Sequence, residues 1–275
     1  SFMAFYIQVK KIVAKEDYDI VYSTSSRLFT AFLGARISNK KKIPLYLDIR
    51  DIFVESIGDI LKPQFLFFLR PILNMIERYT FSTAKHINLV SRGFKNYFET
   101  RYLQANYSYF TNGIDDEFLN FPELDRNLKK ESTKPTILYA GNIGDGQGLH
   151  NILPELSEQL EDHFSFKVIG DGRKKERLMQ SINERRSIKV LPPISRSELF
   201  EEYMNADILF LHLNNYSAYE KVLPSKVFEY AATGKPILAG VNGYSAKFIN
   251  EEIPNASVFN SGNHKEAIAA LESLN

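Results

Sequence analysis

Cysteine is absent from the 275-residue chain, which removes disulfides, thiolate metal sites and cysteine nucleophiles together. Neither sign of charge is in excess: 34 Lys and Arg face 33 Asp and Glu, a formal net charge of +1. No basic field draws such a chain to nucleic acid, which is not an expected partner. Long apolar runs are also missing; a typical one covers only residues 65–69, far short of a bilayer span. The opening residues Ser1 to Tyr6 lack the basic start and apolar core of a signal peptide. The five histidines have no metal-ligand spacing, and neither a metal nor a cofactor is expected. His86 and His212 read as core or rim residues of strands, His163 and His264 as exposed. What is present is ordinary globular composition, 44% hydrophobic and 24% charged, as in a soluble or peripheral protein of the cytoplasm.

From residue 136 onward, short β-rich runs at 136–140, 164–169, 188–191, 207–211 and 236–239 alternate with helix-like stretches. Those stretches cover 149–160, 173–185, 195–205 and 224–233, with a last helix at 264–274. Strands alternating with helices of this length imply βαβ units and a parallel sheet covered on both faces. The first part repeats the theme less completely. Helices are expected at 2–15, 28–37, from 63 to about 82 and at 94–102, and strands at 19–22, 45–47, 87–90 and 107–110. The expected fold is α/β, with two Rossmann-like doubly wound domains at 1–112 and 136–275 and a polar linker at 113–135. An α/β domain that opens on a helix suggests a missing front βα unit, and hence a truncated or naturally shortened chain.

Four glycines cluster in Gly141-Asn142-Ile143-Gly144-Asp145-Gly146-Gln147-Gly148, between an expected strand and an expected helix. Glycine backbone there can approach a phosphate, and the helix N-terminus favours an anion. A tight turn that binds nothing is the other reading. The spacing is not GxGxxG, which weakens a nicotinamide reading. A second glycine turn, Gly170-Asp171-Gly172-Arg173, opens on the same sheet edge. Arg173 is there either a surface residue or a ligand contact, and Pro193, beyond the next strand, joins the binding set. In Leu223-Pro224-Ser225-Lys226-Val227-Phe228-Glu229-Tyr230, Pro224 and Ser225 suit a helix start. Lys226 then sits in the first turn, where the dipole opposes a cation and a diphosphate would compensate it. Glu229, one turn on, can accept two hydrogen bonds from a ribose diol; a plain Lys226–Glu229 surface pair is the alternative.

The ordered set of Tyr139-Ala140-Gly141-Asn142-Ile143-Gly144, Gln147-Gly148-Leu149, Ile169-Gly170-Asp171-Gly172 and Leu223 to Tyr230 resembles the C-terminal domain of family 4 glycosyltransferases of the GT-B fold. Asp48-Ile49-Arg50-Asp51 and Thr111-Asn112-Gly113-Ile114-Asp115 are similar to that family's marks in its first domain. The likeness is to the bacterial branch that builds O-antigen, capsule and other surface polysaccharide. It implies a nucleotide-sugar substrate, with Glu229 on the ribose hydroxyls, Lys226 on the diphosphate, and the loop 141–148 facing the diphosphate through its amides. It places Glu220 near the donor sugar. In two places the chain departs from the family pattern. Lys221 stands where the first of two paired glutamates is usual, and His150 and Asn151 follow the glycine loop in place of a basic pair. Lys226 then bears more of the phosphate charge, with Arg173 a candidate helper.

The implied reaction is retaining glycosyl transfer from a UDP-sugar to a glycan or polyprenyl-linked acceptor, without a metal. Lys226 and Glu220 are the expected catalytic residues, with Asp51 on the acceptor side unless it serves only as a cap. The binding set is Gly141, Asn142, Gly144, Gly148, Gly170, Arg173, Pro193, Ser225, Lys226 and Glu229. A UDP-sugar epimerase of the same fold and a non-catalytic nucleotide-sugar-binding copy are the rival readings. Asp17-Tyr18-Asp19 precedes a strand and reads as a solvated turn, not as a metal-binding DxD. Ser23-Thr24-Ser25-Ser26 reads as helix capping more than as acceptor lining. Lys62-Pro63-Gln64-Phe65-Leu66-Phe67-Phe68-Leu69-Arg70, with Lys40 to Lys42 nearby in sequence, is either a peripheral membrane face or, on the preferred reading, an ordinary buried helix.

Overall fold

A computed structural model describes residues 2–25, 27–60, 63–118, 134–182 and 185–274. Lys62, Ser26 and most of the expected linker lie outside these. The chain divides into two compact units, Ser1–Thr111 and Asn112–Asn275.

The first unit carries a four-stranded parallel sheet in the order β1-β2-β3-β4, made of Val21–Ser25, Leu45–Ile49, His86–Leu89 and Asn106–Ser108. Helices α1 (Phe2–Val13), α2 (Leu28–Lys41), α3 (Phe53–Ile60), α4 (Pro63–Thr83) and α5 (Lys95–Glu99) surround it. The strands are two-sided. Leu45, Leu47, Ile49, Ile87 and Leu89 are buried on one face, where α2 packs on the sheet closely enough to bring Ser23 beside Gly34. The other face is polar. Thr24, Asp48, Asn88 and Ser108 align across all four strands, and side-chain hydrogen bonds link them. Asp48 accepts from Thr24 at 2.8 Å and from Asn88 at 2.7 Å, and Ser108 donates to Asn88 at 2.9 Å. One register step back, Tyr22, Tyr46 and His86 stack in series, with centroids 5.5 and 4.6 Å apart.

The second unit holds six parallel strands in the order β10-β9-β8-β5-β6-β7. These are β5 Thr136–Ala140, β6 Ser165–Ile169, β7 Ile188–Leu191, β8 Ile208–His212, β9 Ile237–Gly240 and β10 Ala256–Phe259. Alternation along each strand feeds two separate cores. Ile137, Tyr139, Phe166 and Val168 pack with α6 (Leu149–Gln159), α7 (Lys175–Ile182) and α11 (His264–Glu272). Leu138, Ala140, Leu209 and Leu211 pack with α8 (Arg196–Asn205), α9 (Lys226–Ala232) and α10 (Gly243–Glu252). Burying each of the Ile, Leu, Val and Phe side chains among these is worth about 1.5–3 kcal/mol, and a sheet apolar on both faces requires helices on both. Strands and helices of this unit fall close to where the sequence places them. Helix α10 and strand β10 were not expected, and neither was α3 in the first unit.

Candidate functional site

The strands are all parallel, but their order in the sheet reverses between β5 and β8, and open α/β sheets bind ligands near such a point, outside the strands' carboxyl ends. A cavity of about 310 Å³ lies there, at the small end of ligand-site volumes. Its walls are the ends of β5 (Ala140, Gly141, Asn142) and β6 (Ile169, Gly170, Asp171), the loop after β7 (Pro193, Ile194), Leu199 of α8, and Lys226 of α9.

The two glycine turns form the floor by packing backbone on backbone. Gly141 N–H donates to the Ile169 carbonyl at 2.9 Å, and Ile143 N–H to that of Asp171 at 2.8 Å. A Cβ at Gly170 would lie 1.9 Å from the Gly141 carbonyl oxygen, so only glycine permits this approach. Gly148, at φ +61, makes the left-handed turn into α6. Three successive loop carbonyls are held by His212 at the end of β8 and by Asn214, two residues on. His212 Nδ1 donates to the Gln147 carbonyl at 2.6 Å, Asn214 N–H to that of Gly146 at 2.7 Å, and Asn214 Nδ2 to that of Asp145 at 3.0 Å. His212 Nε2 accepts from Gly262 N–H at 3.0 Å, so both ring nitrogens are satisfied in the neutral form. Burial pushes its pKa down to about 4.

Several amides expected to face an anion are engaged within the protein. Besides Gly141 and Ile143, Gly144 N–H donates to Gln147 Oε1 at 3.3 Å and Gly148 N–H to the Gly144 carbonyl at 3.3 Å. Asn142 Nδ2 also donates to Gln147 Oε1, at 2.9 Å. The positive charge on the cavity wall therefore comes from Lys226.

Lys226 belongs to a cluster. Its Nζ lies 3.0 Å from Glu229 Oε2, which also accepts from the Tyr203 hydroxyl at 3.2 Å. Arg196 Nη1 reaches the other oxygen, Oε1, at 3.4 Å. The second arm of that guanidinium pairs with Asp115, and its plane lies 4.5 Å from the centroid of the Phe118 ring. Burial opposes the charge on Arg196, but Glu229 and Asp115 outweigh it and hold the guanidinium above its ordinary range. A capping box, in which Ser195 Oγ accepts from Glu198 N–H and Glu198 accepts from Ser195 N–H, fixes the first turn of α8 and so places Arg196. Sequence reasoning passed over Arg196, Tyr203 and Asn214. The polar stretch containing Asp115 gave no sign that its end packs here, with Phe118 buried against Phe200 and Tyr203.

Of the residues singled out from sequence, Gly141, Asn142, Gly170, Pro193 and Lys226 line the cavity, and Glu229 adjoins it through Lys226. Gly144, Gly148, Arg173, Ser225 and Glu220 do not line it. Arg173 is exposed at the approach to α7, and Glu220 is exposed on a short 3₁₀ helix, Ser217–Lys221. Ser225 stands before α9 but caps nothing, since its backbone is already helical at φ −57 and ψ −29. Asp51 lies between β2 and α3 in the first unit.

Other expectations change. The residue before α2 is Arg27, with no side-chain cap, and Thr24 gives its hydroxyl to Asp48, so capping is not the role of Thr24, while Ser26 lies outside the described residues. His264 is half-buried, 3.7 Å from Glu155. The buried-helix reading of 62–70 fails, because Phe65, Phe67 and Phe68 of α4 are 62%, 76% and 75% exposed. Asp17 and Asp19 are exposed, as in a solvated turn. Among the described residues no helix is long and apolar enough to cross a membrane.

Residues 120–275 match the family described as Glycosyl transferases group 1. The Escherichia coli (strain K12) protein WcaI, named for glycosyl transfer in colanic acid biosynthesis, is 27% identical over 124 residues. That match covers 44% of this chain and 30% of WcaI, so the chain spans well under half of that relative. Among solved structures, sucrose-phosphate synthase from Thermosynechococcus elongatus aligns with a TM-score of 0.73 at 14% identity, over 98% of this chain and 67% of that one. HepE from Anabaena, solved with UDP and glucose, aligns at 0.71 and 17%, over 97% and 71%. WaaG, a glycosyltransferase involved in lipopolysaccharide biosynthesis, aligns at 0.65 and 15%, over 98% and 85%. At these identities the likeness is one of fold, an α/β architecture of the GT-B type.

Proposed function

The chain belongs to the group 1 glycosyl transferases, and on that premise we propose that it moves a sugar from a nucleotide-sugar donor, a UDP-sugar, to a glycan or lipid-linked acceptor of surface polysaccharide. The reading includes retention at the anomeric carbon and no metal. One observation carries it: Lys226 is the cation on the wall of a cavity at the strands' carboxyl ends, with a carboxylate, Glu229, one helical turn away. In glycosyl transfer negative charge grows on the departing diphosphate, and a preorganised cation beside it lowers the barrier. Lys226 takes that role, and Glu229 accepts from the ribose hydroxyls. Asn142 gives one side-chain N–H to Gln147 and contributes the other where loop amides are already engaged. Glu220 and Asp51 are assigned to the donor-sugar and acceptor sides. That HepE was solved with UDP and glucose, and that WcaI and WaaG are named for surface polysaccharide synthesis, supports the substrate class.

Calorimetry with UDP tests the placement. Lys226→Ala and Glu229→Ala should each weaken binding at least about tenfold, the scale of a lost charge-assisted hydrogen bond. Parent-like binding by both variants removes the nucleotide from this cavity. A lipid-linked acceptor also calls for contact with the inner face of the cell membrane, and α4 presents Phe65, Phe67 and Phe68 for it. Flotation with anionic liposomes should succeed for the parent and fail for the double variant Phe67→Asp, Phe68→Asp; equal flotation of the two rules out this face.

A further inference from the structure

We propose that Arg196 is a positioning residue of this site, keeping Glu229 paired so that Lys226 is free to leave it for the diphosphate. The proposal rests on the nucleotide placement given above. Without ligand, Lys226 is occupied: its ammonium is 3.0 Å from Glu229 Oε2. To serve a diphosphate that pair must open, and Glu229 is largely buried, with only 16% of its side chain exposed. A carboxylate left unpaired there is costly, and that cost would hold Lys226 in place. Arg196 removes it by standing at the other oxygen, Oε1, at 3.4 Å, while Tyr203 remains on Oε2.

The guanidinium is fixed from three sides. Its second arm is on Asp115, its plane lies on the buried Phe118 ring, and its backbone sits in the capped first turn of α8. A planar fork holds two carboxylates in a fixed relative geometry, which a freely rotating ammonium does not impose. The same contacts fasten residues 115–118 to the nucleotide side of the second unit, so a purely structural role has to be distinguished from the proposed one.

Calorimetry with UDP and with uridine makes the distinction, because uridine offers Lys226 no phosphate. Arg196→Ala should lower UDP affinity about tenfold and uridine affinity by no more than about threefold. Arg196→Lys, which keeps the charge but loses the fork, should recover part of the UDP affinity. In a Lys226→Ala background, Arg196→Ala should cost UDP little more, because no trapped ammonium remains to be released. Equal losses for UDP and uridine, or losses additive with Lys226→Ala, overturn the proposal in favour of a structural strap, and so does parent-like UDP binding by Arg196→Ala. A parent that binds no UDP refutes the nucleotide placement itself, a result distinct from all of these.

Discussion

The two units treat the faces of their sheets differently. The second buries both, with Ile137 and Tyr139 in one core and Leu138 and Ala140 in the other. The first fills only one face with apolar side chains and gives the other to a chain of polar groups, Thr24–Asp48–Asn88–Ser108, of which Asp48 and Asn88 are themselves buried. A doubly buried sheet fixes its strands by packing, which leaves glycine turns free to be shaped for close approach at the carboxyl edge. A sheet with a polar face depends instead on side-chain hydrogen bonds for register. Stability should therefore respond to volume in the second unit and to lost acceptors in the first.

The largest effect that tests this contrast is Gly170→Ala. Its Cβ would meet the Gly141 carbonyl at 1.9 Å, and backbone has no rotamer with which to yield. The expected loss exceeds about 3 kcal/mol in urea unfolding, the upper range for overpacking, with UDP binding lost as well. A tolerated substitution would show that the turns are not held by each other.

Next comes acid. The unfolded His212 titrates near 6.5, whereas the folded one is pushed down to about 4 by burial. Between these values only the unfolded chain takes up the proton, so the second unit loses stability as pH falls below about 6.5, the loss being complete below about 4. The full amount is about 3 kcal/mol. Hydrogen exchange resolved by peptide, at pH 7 and pH 5, should show strands β5 and β8 opening more easily in acid. His212→Asn should flatten that dependence; an unchanged slope would exclude His212 as its source.

This division also governed how much could be read in advance. Strand β5 lies at 136–140 as expected, because an apolar run bounded by turns announces a doubly buried strand, and the edge strand β7 at 188–191 is marked by its β-branched residues between turns. In the first unit the polar face breaks the signal. β1 extends through Ser23, Thr24 and Ser25, which carry no apolar mark but pair with Leu47, Asp48 and Ile49. β4 ends at Ser108, not at Phe110, because the Asn88 side chain takes both the N–H and the carbonyl of Phe110, at 2.8 and 3.0 Å. In the site, Lys226 and Glu229 were visible as neighbours three apart. Arg196 was not, because its partners Glu229 and Asp115 lie 33 and 81 residues away, a distance no local pattern spans.

Asn88→Ala addresses the polar face directly. It leaves Asp48, Ser108 and both Phe110 backbone groups short of a partner, and should cost about 2 kcal/mol, within the range for buried groups left unsatisfied. Exchange should rise in β3 and β4 and remain unchanged in the second unit. A neutral result would mean that water replaces the amide fully and that the ladder does not set the register.

The smallest effect is the most direct test of the contrast, because its sign opposes that of His212. Glu77 of α4 is buried and accepts from the Tyr97 hydroxyl at 2.6 Å and the Tyr102 hydroxyl at 2.9 Å. Burial raises its pKa above the usual carboxyl value, although the two tyrosines and Arg101 pull it down. A carboxyl whose folded pKa is raised contributes stability that is fully present below its unfolded value, near 4.5, and is lost as pH rises through the folded one. Acid should therefore tighten the junction of α4 with Tyr97 and Tyr102 as pH falls towards about 4.5, whereas it loosens the second unit. Glu77→Gln keeps an oxygen that can accept from both tyrosines, since both donate to Oε1, and cannot ionise, so exchange at α4 should become independent of pH. If α4 in the parent loosens in acid alongside β5 and β8, the two units do not titrate in opposite senses, and the distinction drawn between their interiors fails at its most sensitive point.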